Sequence, residues 1–266
     1  MLIIAERINT SRRAIAEAVA AGNADFIKQE AVAQAGAGAD YIDVNAGTFL
    51  EQEAERLAWI IEAVQEATDV PLSLDSASPD VLESVLPKVR RRPMINSITL
   101  EPGRLSRILP LALEAKAKLI ALCQSGRGLA ETAEAKAAVA DRLVEATGEA
   151  GFPIEDLYID PLVFPLATNT ASALETLQAI ETIRRRHPAA HTICGLTNVS
   201  YGLPARKLVN RTFLTAAVLR GLDAVILDPT DARLGGALKA ALLVAGRDGY
   251  GLRFIKAFKK GLFDPS

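Results

Sequence analysis

A barrel of eight parallel strands, each followed by a helix, is the fold class that three features of this 266-residue chain predict. Short apolar runs alternate with longer helix-like stretches from end to end. The runs lack the apolar-polar alternation of a half-exposed sheet, as befits strands covered on both faces, and eight such units in about 250 residues is the usual size of a (β/α)8 barrel. Half of the side chains are hydrophobic and 23% are charged, which provides one sizeable core and argues against disorder.

The first strand is expected over Leu2 to Ala5. Its four-residue run meets Glu6 and Arg7 at once, too soon for a signal-peptide core or a membrane span, so no targeting segment is expected. The other strands are expected at Tyr41 to Asn45, Pro71 to Asp75, Met94 to Ser97, Lys118 to Cys123, Leu157 to Asp160, Thr192 to Leu196 and Asp223 to Leu227. Crossover helices are expected over Glu51 to Ala67, Arg104 to Ala117, Glu131 to Ala150, Ala171 to Arg186 and Leu208 to Arg220, where apolar residues recur at three and four. In the first of these, Leu57, Ile60, Ile61 and Val64 share one face while Glu51, Glu55, Glu62 and Glu66 fall largely on the other, as in a helix that covers a sheet. A doubly wound open sheet is the structural alternative. It calls for a Gly-x-Gly-x-x-Gly turn after the first strand, and Ala5-Glu6-Arg7-Ile8-Asn9 occupies that place. The barrel is therefore preferred, as one domain over residues 1–266 closed by a tail helix near Gly251 to Lys260.

Thirty Lys and Arg against thirty-two Asp and Glu leave a formal charge of −2 and no general positive field, so neither nucleic acid nor membrane is an expected partner. The two cysteines, Cys123 and Cys194, lie in apolar runs that read as buried strand. They supply neither a disulfide scaffold nor a Cys-rich metal site, and a reducing, cytoplasmic setting is expected.

In such a barrel the C-terminal strand ends line the mouth where the chemistry sits. Here they carry Glu6 and Asn9, Asp43 and Asn45, Asp75, Asn96 and Ser97, Gln124, Asp160, Thr197 and Asn198, and Asp228. Any one of these has an ordinary reading as a helix cap or Asx turn. Turn formation alone does not require Asp or Asn on most of eight strands; a ligand rich in N–H and C=O groups does. His187, after Arg184-Arg185-Arg186, reads as a solvated last-turn residue, and His191 precedes strand seven at the N-terminal end of the barrel. Neither imidazole is placed for zinc, and no Cys-x-x-Cys or Gly-x-Ser-x-Gly occurs, so zinc hydrolysis and Ser-triad chemistry lack their parts. Carboxylates alone suit magnesium, whereas the accompanying carboxamides suit hydrogen-bond recognition, and no metal is expected. A phosphorylated substrate is disfavoured: Gly195 and Gly202 make a weak phosphate loop, and Asp228 adds negative charge.

The segments Glu6-Arg7-Ile8-Asn9, Asp43-Val44-Asn45-Ala46-Gly47, Leu74-Asp75-Ser76, Ile95-Asn96-Ser97, Asp156 to Leu162 and Gly195 to Pro204 together resemble the methyltetrahydrofolate:corrinoid protein methyltransferases. They are similar also to the folate-binding module of cobalamin-dependent methionine synthase. The resemblance runs through Asn210-Arg211-Thr212-Phe213 and Leu227-Asp228-Pro229. It implies a pterin-binding TIM barrel, shared more distantly with dihydropteroate synthase. It places Asp75, Asn96 and Asp160 on the pterin, Asn198 at N5 as the catalytic residue, and Glu6 and Asn9 in the same mouth. The aminopyrimidinone edge of a pterin offers adjacent N–H donors and a carbonyl, which ionised Asp and Asn can meet.

The implied reaction moves a methyl group between N5 of tetrahydrofolate and the cobalt of a corrinoid (cobalamin) on a separate protein, in a direction the sequence leaves open. The corrinoid protein is then the expected partner, because neither His187 nor His191 lies in an Asp-x-His-x-x-Gly signature for carrying cobalamin. Arg206 is expected to reach the folate or the corrinoid protein, and the family implies a homodimer. The rivals are a noncatalytic tetrahydropterin-binding subunit and dihydropteroate synthase, whose Ser-x-Ser-Arg type loop is not recognisable here.

Overall fold

The computed structural model describes residues 1–125 and 128–263. Eight strands form one parallel sheet: β1 (Leu2–Asn9), β2 (Tyr41–Asn45), β3 (Leu72–Asp75), β4 (Met94–Ile98), β5 (Lys118–Leu122), β6 (Leu157–Asp160), β7 (His191–Thr192) and β8 (Ala224–Leu227). The order β8-β1-β2-β3-β4-β5-β6-β7 follows the chain around a circle. A parallel bridge between Gly195 and Ile226 closes it, with the amide of Ile226 donating to Cys194 at 2.9 Å and that of Asp223 to Thr192 at 3.2 Å. The predicted barrel is therefore the observed one.

The helices are α1 (Arg13–Ala20), α2 (Ala24–Gly36), α3 (Glu53–Ala67), α4 (Pro79–Val85), α5 (Pro102–Glu114), α6 (Ala133–Glu149), α7 (Ser172–Arg186), α8 (Arg206–Leu219), α9 (Ala232–Val244) and α10 (Leu252–Lys259). The five expected crossover helices and the tail helix correspond to α3, α5, α6, α7, α8 and α10. Four others carry weak signals in the sequence. Two of them, α1 and α4, are too short to display a period, and α4 is marked only by the Ser78 cap with Pro79 in its first turn. The Ala- and Leu-rich α9 packs between α8 and α10, and this wraps apolar residues around more of its surface. The Phe263 ring comes so near that a Cβ on Gly236 would lie 3.2 Å from it.

Strand β7 is shorter than the apolar run Thr192 to Leu196 predicts: the ladder holds only His191 and Thr192. The amides of Ile193 and Ile226 still bond Ile159 and Cys194, after which the chain leaves the sheet at Gly195 and coils into a 3-10 turn over Leu196–Ser200. A short antiparallel ribbon, Gln124–Ser125 with Gly128–Leu129, follows β5.

Alternate residues of a strand face opposite sides, so each strand feeds two cores. Outside, Ala5, Ile42, Val44, Leu74, Ile95 and Leu119 pack under the helices. Inside, Ile4, Tyr41, Met94, Ile120, Tyr158, Ile193 and Ala224 fill the lumen, so the barrel is plugged and the plug forms a floor. His191 stacks on Tyr158 at 4.8 Å at the lower end, remote from the mouth as its place before strand seven implies. His187 departs from the expected solvated residue: it is mostly buried, and Nε2 lies 2.7 Å from an Asp141 carboxylate oxygen on α6.

Candidate functional site

One pleat above the apolar plug, the inward positions change character. Two residues beyond Ile4, Tyr41, Met94 and Tyr158 stand Glu6, Asp43, Asn96 and Asp160, and two beyond Ser73 stands Asp75. These five side chains line one cavity of about 350 Å³ at the C-terminal mouth, together with Asn9, Arg12, Thr197 and Asn198. Strands β5 and β8 supply Leu122 and Ile226 instead, which make an apolar wall. A polar edge facing an apolar wall suits a flat heterocycle, and the volume lies in the usual range of about 300–1,000 Å³ for small-molecule sites.

Two bulges re-aim side chains into this cavity. Pairing of β1 with β2 passes from Ala5↔Ile42 to Ile8↔Val44, an extra residue in β1 at Glu6-Arg7. The inward Glu6 accepts from Thr197 Oγ1 at 3.2 Å and Arg12 Nη2 at 3.3 Å, while Arg7 turns outward to Glu30 and Asp228. Pairing of β4 with β5 likewise gains a residue at Ser97, directly after Asn96. Arg104 staples the neighbouring loops by donating to the carbonyls of Ser97 and Ser76.

Four carboxyl groups meet in this space, and burial raises the pKa of each. Asp43 is fully enclosed and lies well above the usual carboxylate range, with the nearby Asp75 adding to the rise; its Oδ1 accepts from Ser73 Oγ at 2.6 Å and Asn96 Nδ2 at 3.3 Å. Burial lifts Asp75 to about 6, against a hydrogen bond from Asn45 Nδ2 at 3.0 Å. Asp160 also reaches about 6 through burial, against backbone amides of Leu162 (2.7 Å) and Gly195. Glu6 is raised by burial as well. Such crowding is costly without donors from a ligand, and it is the pattern of a functional site rather than of helix caps.

Asn198 stands in the 3-10 turn above these groups. Its carboxamide is exposed and makes no hydrogen bond to the described residues, so it remains available to a ligand. Gly195 makes room for it, since a Cβ there would sit 3.3 Å from Asn198 Nδ2. Arg206, expected at the ligand, is absent from the cavity wall. Its guanidinium instead donates to the Thr197 carbonyl at 3.0 Å and Ser200 Oγ at 3.1 Å, with Tyr201 stacked alongside, and so braces the Asn198 turn. Arg206→Ala is expected to lower the melting temperature by about 2–4 °C, the loss of roughly 1 kcal/mol of hydrogen bonding, as scanning calorimetry would read.

Two further rim residues have local duties: Asn9 Oδ1 accepts from Ser11 N while lining the cavity, and Asp228 pairs with Arg7 and caps Thr230 away from it. Sequence reasoning placed Asp43, Asn45 and Thr197 on the rim without assigning them to the ligand site, and it overlooked Arg12 and the Leu122, Leu162 and Ile226 wall. The signal for Asp43 is present in the spacing: Tyr41-x-Asp43, Met94-x-Asn96 and Tyr158-x-Asp160 repeat one inward step from apolar to polar. Among the described residues, no group of three or more His, Cys, Asp or Glu side chains is placed to hold a metal ion, and no helix is long and apolar enough to cross a membrane.

Residues 5–228 match the family model described as pterin binding enzyme. Over the whole chain the sequence is 36% identical to the methylcorrinoid:tetrahydrofolate methyltransferase of Eubacterium limosum, covering 98% of that protein. Over 200 residues it is 32% identical to the methionine synthase of Mycobacterium tuberculosis, a far longer protein of which the match spans 16%. Among solved structures, dihydropteroate synthase of Xanthomonas albilineans with 4-aminobenzoic acid superposes with a TM-score of 0.68 at 20% identity, over 91% of this chain and 90% of that one. The enzyme of Vibrio fischeri ES114 gives 0.67 at 16% identity, over 92% and 93%. At these identities the structural likeness is one of fold. Together with the full-length relative, the matched model establishes that the chain belongs to the pterin-binding enzyme family.

Proposed function

We propose that the mouth binds the aminopyrimidinone edge of a tetrahydrofolate and that the protein transfers a methyl group between N5 of this pterin and the cobalt of a corrinoid carried by a separate protein. The observation that carries the reading is the set Asp75, Asn96 and Asp160 in one cavity, with Asn198, unpartnered among the described residues, above them. Ionised Asp75 and Asp160 accept from the N–H donors of the pterin, and Asn96, oriented by Asp43, meets its mixed edge. Glu6 and Asn9 line the same mouth, and Arg12 is the cation on the wall that faces an acidic tail. Arg206 acts through the turn it braces. The name of the full-length relative favours tetrahydrofolate as the methyl acceptor.

In the direction of folate methylation, the N5 lone pair would form the new N–C bond as the carbon–cobalt electron pair stays with the corrinoid, and N5 would then shed its proton. The role of Asn198 is to hold a hydrogen bond at N5 that is better matched to the transition state than to either ground state, while water or a site carboxylate takes the proton. In this reading the protein works in the cytoplasm as one barrel unit with its tail helix. A homodimer is part of it, and Val244, Tyr250, Leu252 and Phe258 near the C-terminus are exposed apolar side chains.

Calorimetric titration with tetrahydrofolate and methyltetrahydrofolate, followed by methyl transfer with free methylcobalamin and with a methylated corrinoid protein, tests the proposal. Binding with turnover is expected. Binding without turnover from either donor would leave a pterin-holding subunit, and no binding at all would sink the pterin assignment.

A further inference from the structure

Behind Asp160, on the side away from the cavity, the side chain of Lys136 enters from α6 and is completely buried. A buried ammonium ordinarily pairs with a carboxylate. None of the hydrogen-bond partners of Lys136 among the described residues is one: Nζ donates to the Pro161 carbonyl at 2.6 Å and to the Leu162 carbonyl, and the Phe164 ring centroid lies 4.6 Å away. All three neighbours are electron-rich, which suits the three N–H bonds of a cation. A neutral amine has two and would turn its lone pair against one of them.

The two carbonyls belong to the turn that carries Asp160. Leu162 sits in the left-handed region, φ 56°, a conformation that costs a residue with a side chain. There its amide folds back onto Asp160 Oδ1 while its side chain lines the cavity. Thr176 on α7 donates to the same Leu162 carbonyl at 3.2 Å, so two helices grip the turn.

We propose that Lys136 is a positioning residue of this site: its ammonium group locks the Pro161-Leu162 turn that presents Asp160 and supplies the buried positive charge that keeps Asp160 an anion. The turn and the charge are independent of any ligand; their purpose rests on the pterin reading above. Burial lifts Asp160 and lowers Lys136; the Leu162 and Gly195 amides oppose the lift of Asp160 first, and Lys136 is the cation that adds to them. The other ionisable groups that face the pair are Cys123 beyond β5, Cys194 after β7, Glu175 on α7 and, beside Cys123, Asp141 on α6. Burial raises both thiols, so neither carries charge near neutrality. Glu6, Asp43 and Asp75 stand around the same cavity.

Carboxyl-carbon NMR of the ligand-free protein reads the charge directly, with the Asp160 resonance assigned by its absence in Asp160→Asn. The parent midpoint is expected near 6. In Lys136→Met and in Lys136→Gln it should rise by about one pH unit or more, while Lys136→Met loses about tenfold or more in methyltetrahydrofolate affinity at pH 7. Lys136→Gln keeps a donor for the turn and should lose less. An unmoved Asp160 midpoint in a folded Lys136 variant overturns the charge role, even if the melting temperature falls. Should both variants fail to fold, Thr176→Val removes the second grip alone: about a threefold or greater loss of affinity with the midpoint unmoved is expected, and full parent affinity overturns the turn-locking role. A midpoint that moves in the Lys136 variants while the parent binds no folate would leave Lys136 in its role and reject the pterin reading.

Discussion

Replacing Asn198 by alanine is expected to slow methyl transfer about 100- to 1,000-fold while changing tetrahydrofolate affinity less than about threefold, as stopped-flow transfer and calorimetric titration would show. The magnitude is that of one pre-organised polar group aimed at charge that develops in the transition state, about 2.7–4 kcal/mol. The asymmetry follows from geometry. The carboxamide lies above the cavity with no hydrogen-bond partner among the described residues, so its removal leaves no buried group there unsatisfied and leaves the Asp75-Asn96-Asp160 wall untouched. Equal losses in rate and affinity would assign Asn198 to ground-state binding instead. Because Arg206 braces the turn through the Thr197 carbonyl, its alanine variant should follow the same split with a smaller effect.

Asp160→Asn is expected to weaken folate binding about 100-fold and, at pH 7–8, to raise the stability of the ligand-free protein. The loss in affinity replaces an anionic acceptor by a mixed donor and acceptor facing pterin N–H groups, about 2–3 kcal/mol for a charged hydrogen bond. The stability gain comes from linkage. A carboxyl raised to about 6 in the folded protein, against 3.8 when exposed, contributes stability that is fully present below the unfolded value and is lost as pH rises through 6. At neutral pH that loss is at most about 3 kcal/mol. The asparagine escapes it but sets an NH2 against the Leu162 or Gly195 amide, so a net gain of about 1–2 kcal/mol and a melting temperature about 3–6 °C higher are expected. Folate affinity of the parent should run the opposite way, falling as pH drops through 6 and Asp75 and Asp160 protonate. A melting temperature that falls in Asp160→Asn would show that Asp160 serves the fold rather than the ligand.

The barrel and most of the cavity lining at its mouth were legible in the sequence because both rest on local periodicity. Runs such as Tyr41 to Asn45 and Leu157 to Asp160 are buried on both faces, and the same runs end in the carboxylate that the next inward pleat needs. Strand spacing of two, repeated on neighbouring strands, is enough to place Glu6, Asp75, Asn96 and Asp160 on one rim. What spacing cannot contain is contact between distant segments. Arg206 looks like a ligand contact from its place beyond strand seven, yet its guanidinium is satisfied by two oxygens of the preceding turn. The early end of β7 is likewise invisible to spacing: past Thr192 the chain keeps only single bonds to Ile159 and Ile226, across the closure of the barrel, before the 3-10 turn begins.

Lys136 marks the boundary most clearly. Its place on the apolar stripe of α6 with Val139, Ala140 and Leu143 is visible as a lysine where a core residue belongs. Only the closed barrel shows why it is there, because the carbonyls that accept its protons come from a turn 25 residues away. The chain by itself determined the architecture and the chemical character of the mouth, through alternation and residue type. The tertiary structure decided which of those groups are enclosed, which remain free, and what charge stands behind them, since burial and long-range pairing are properties of the packed whole.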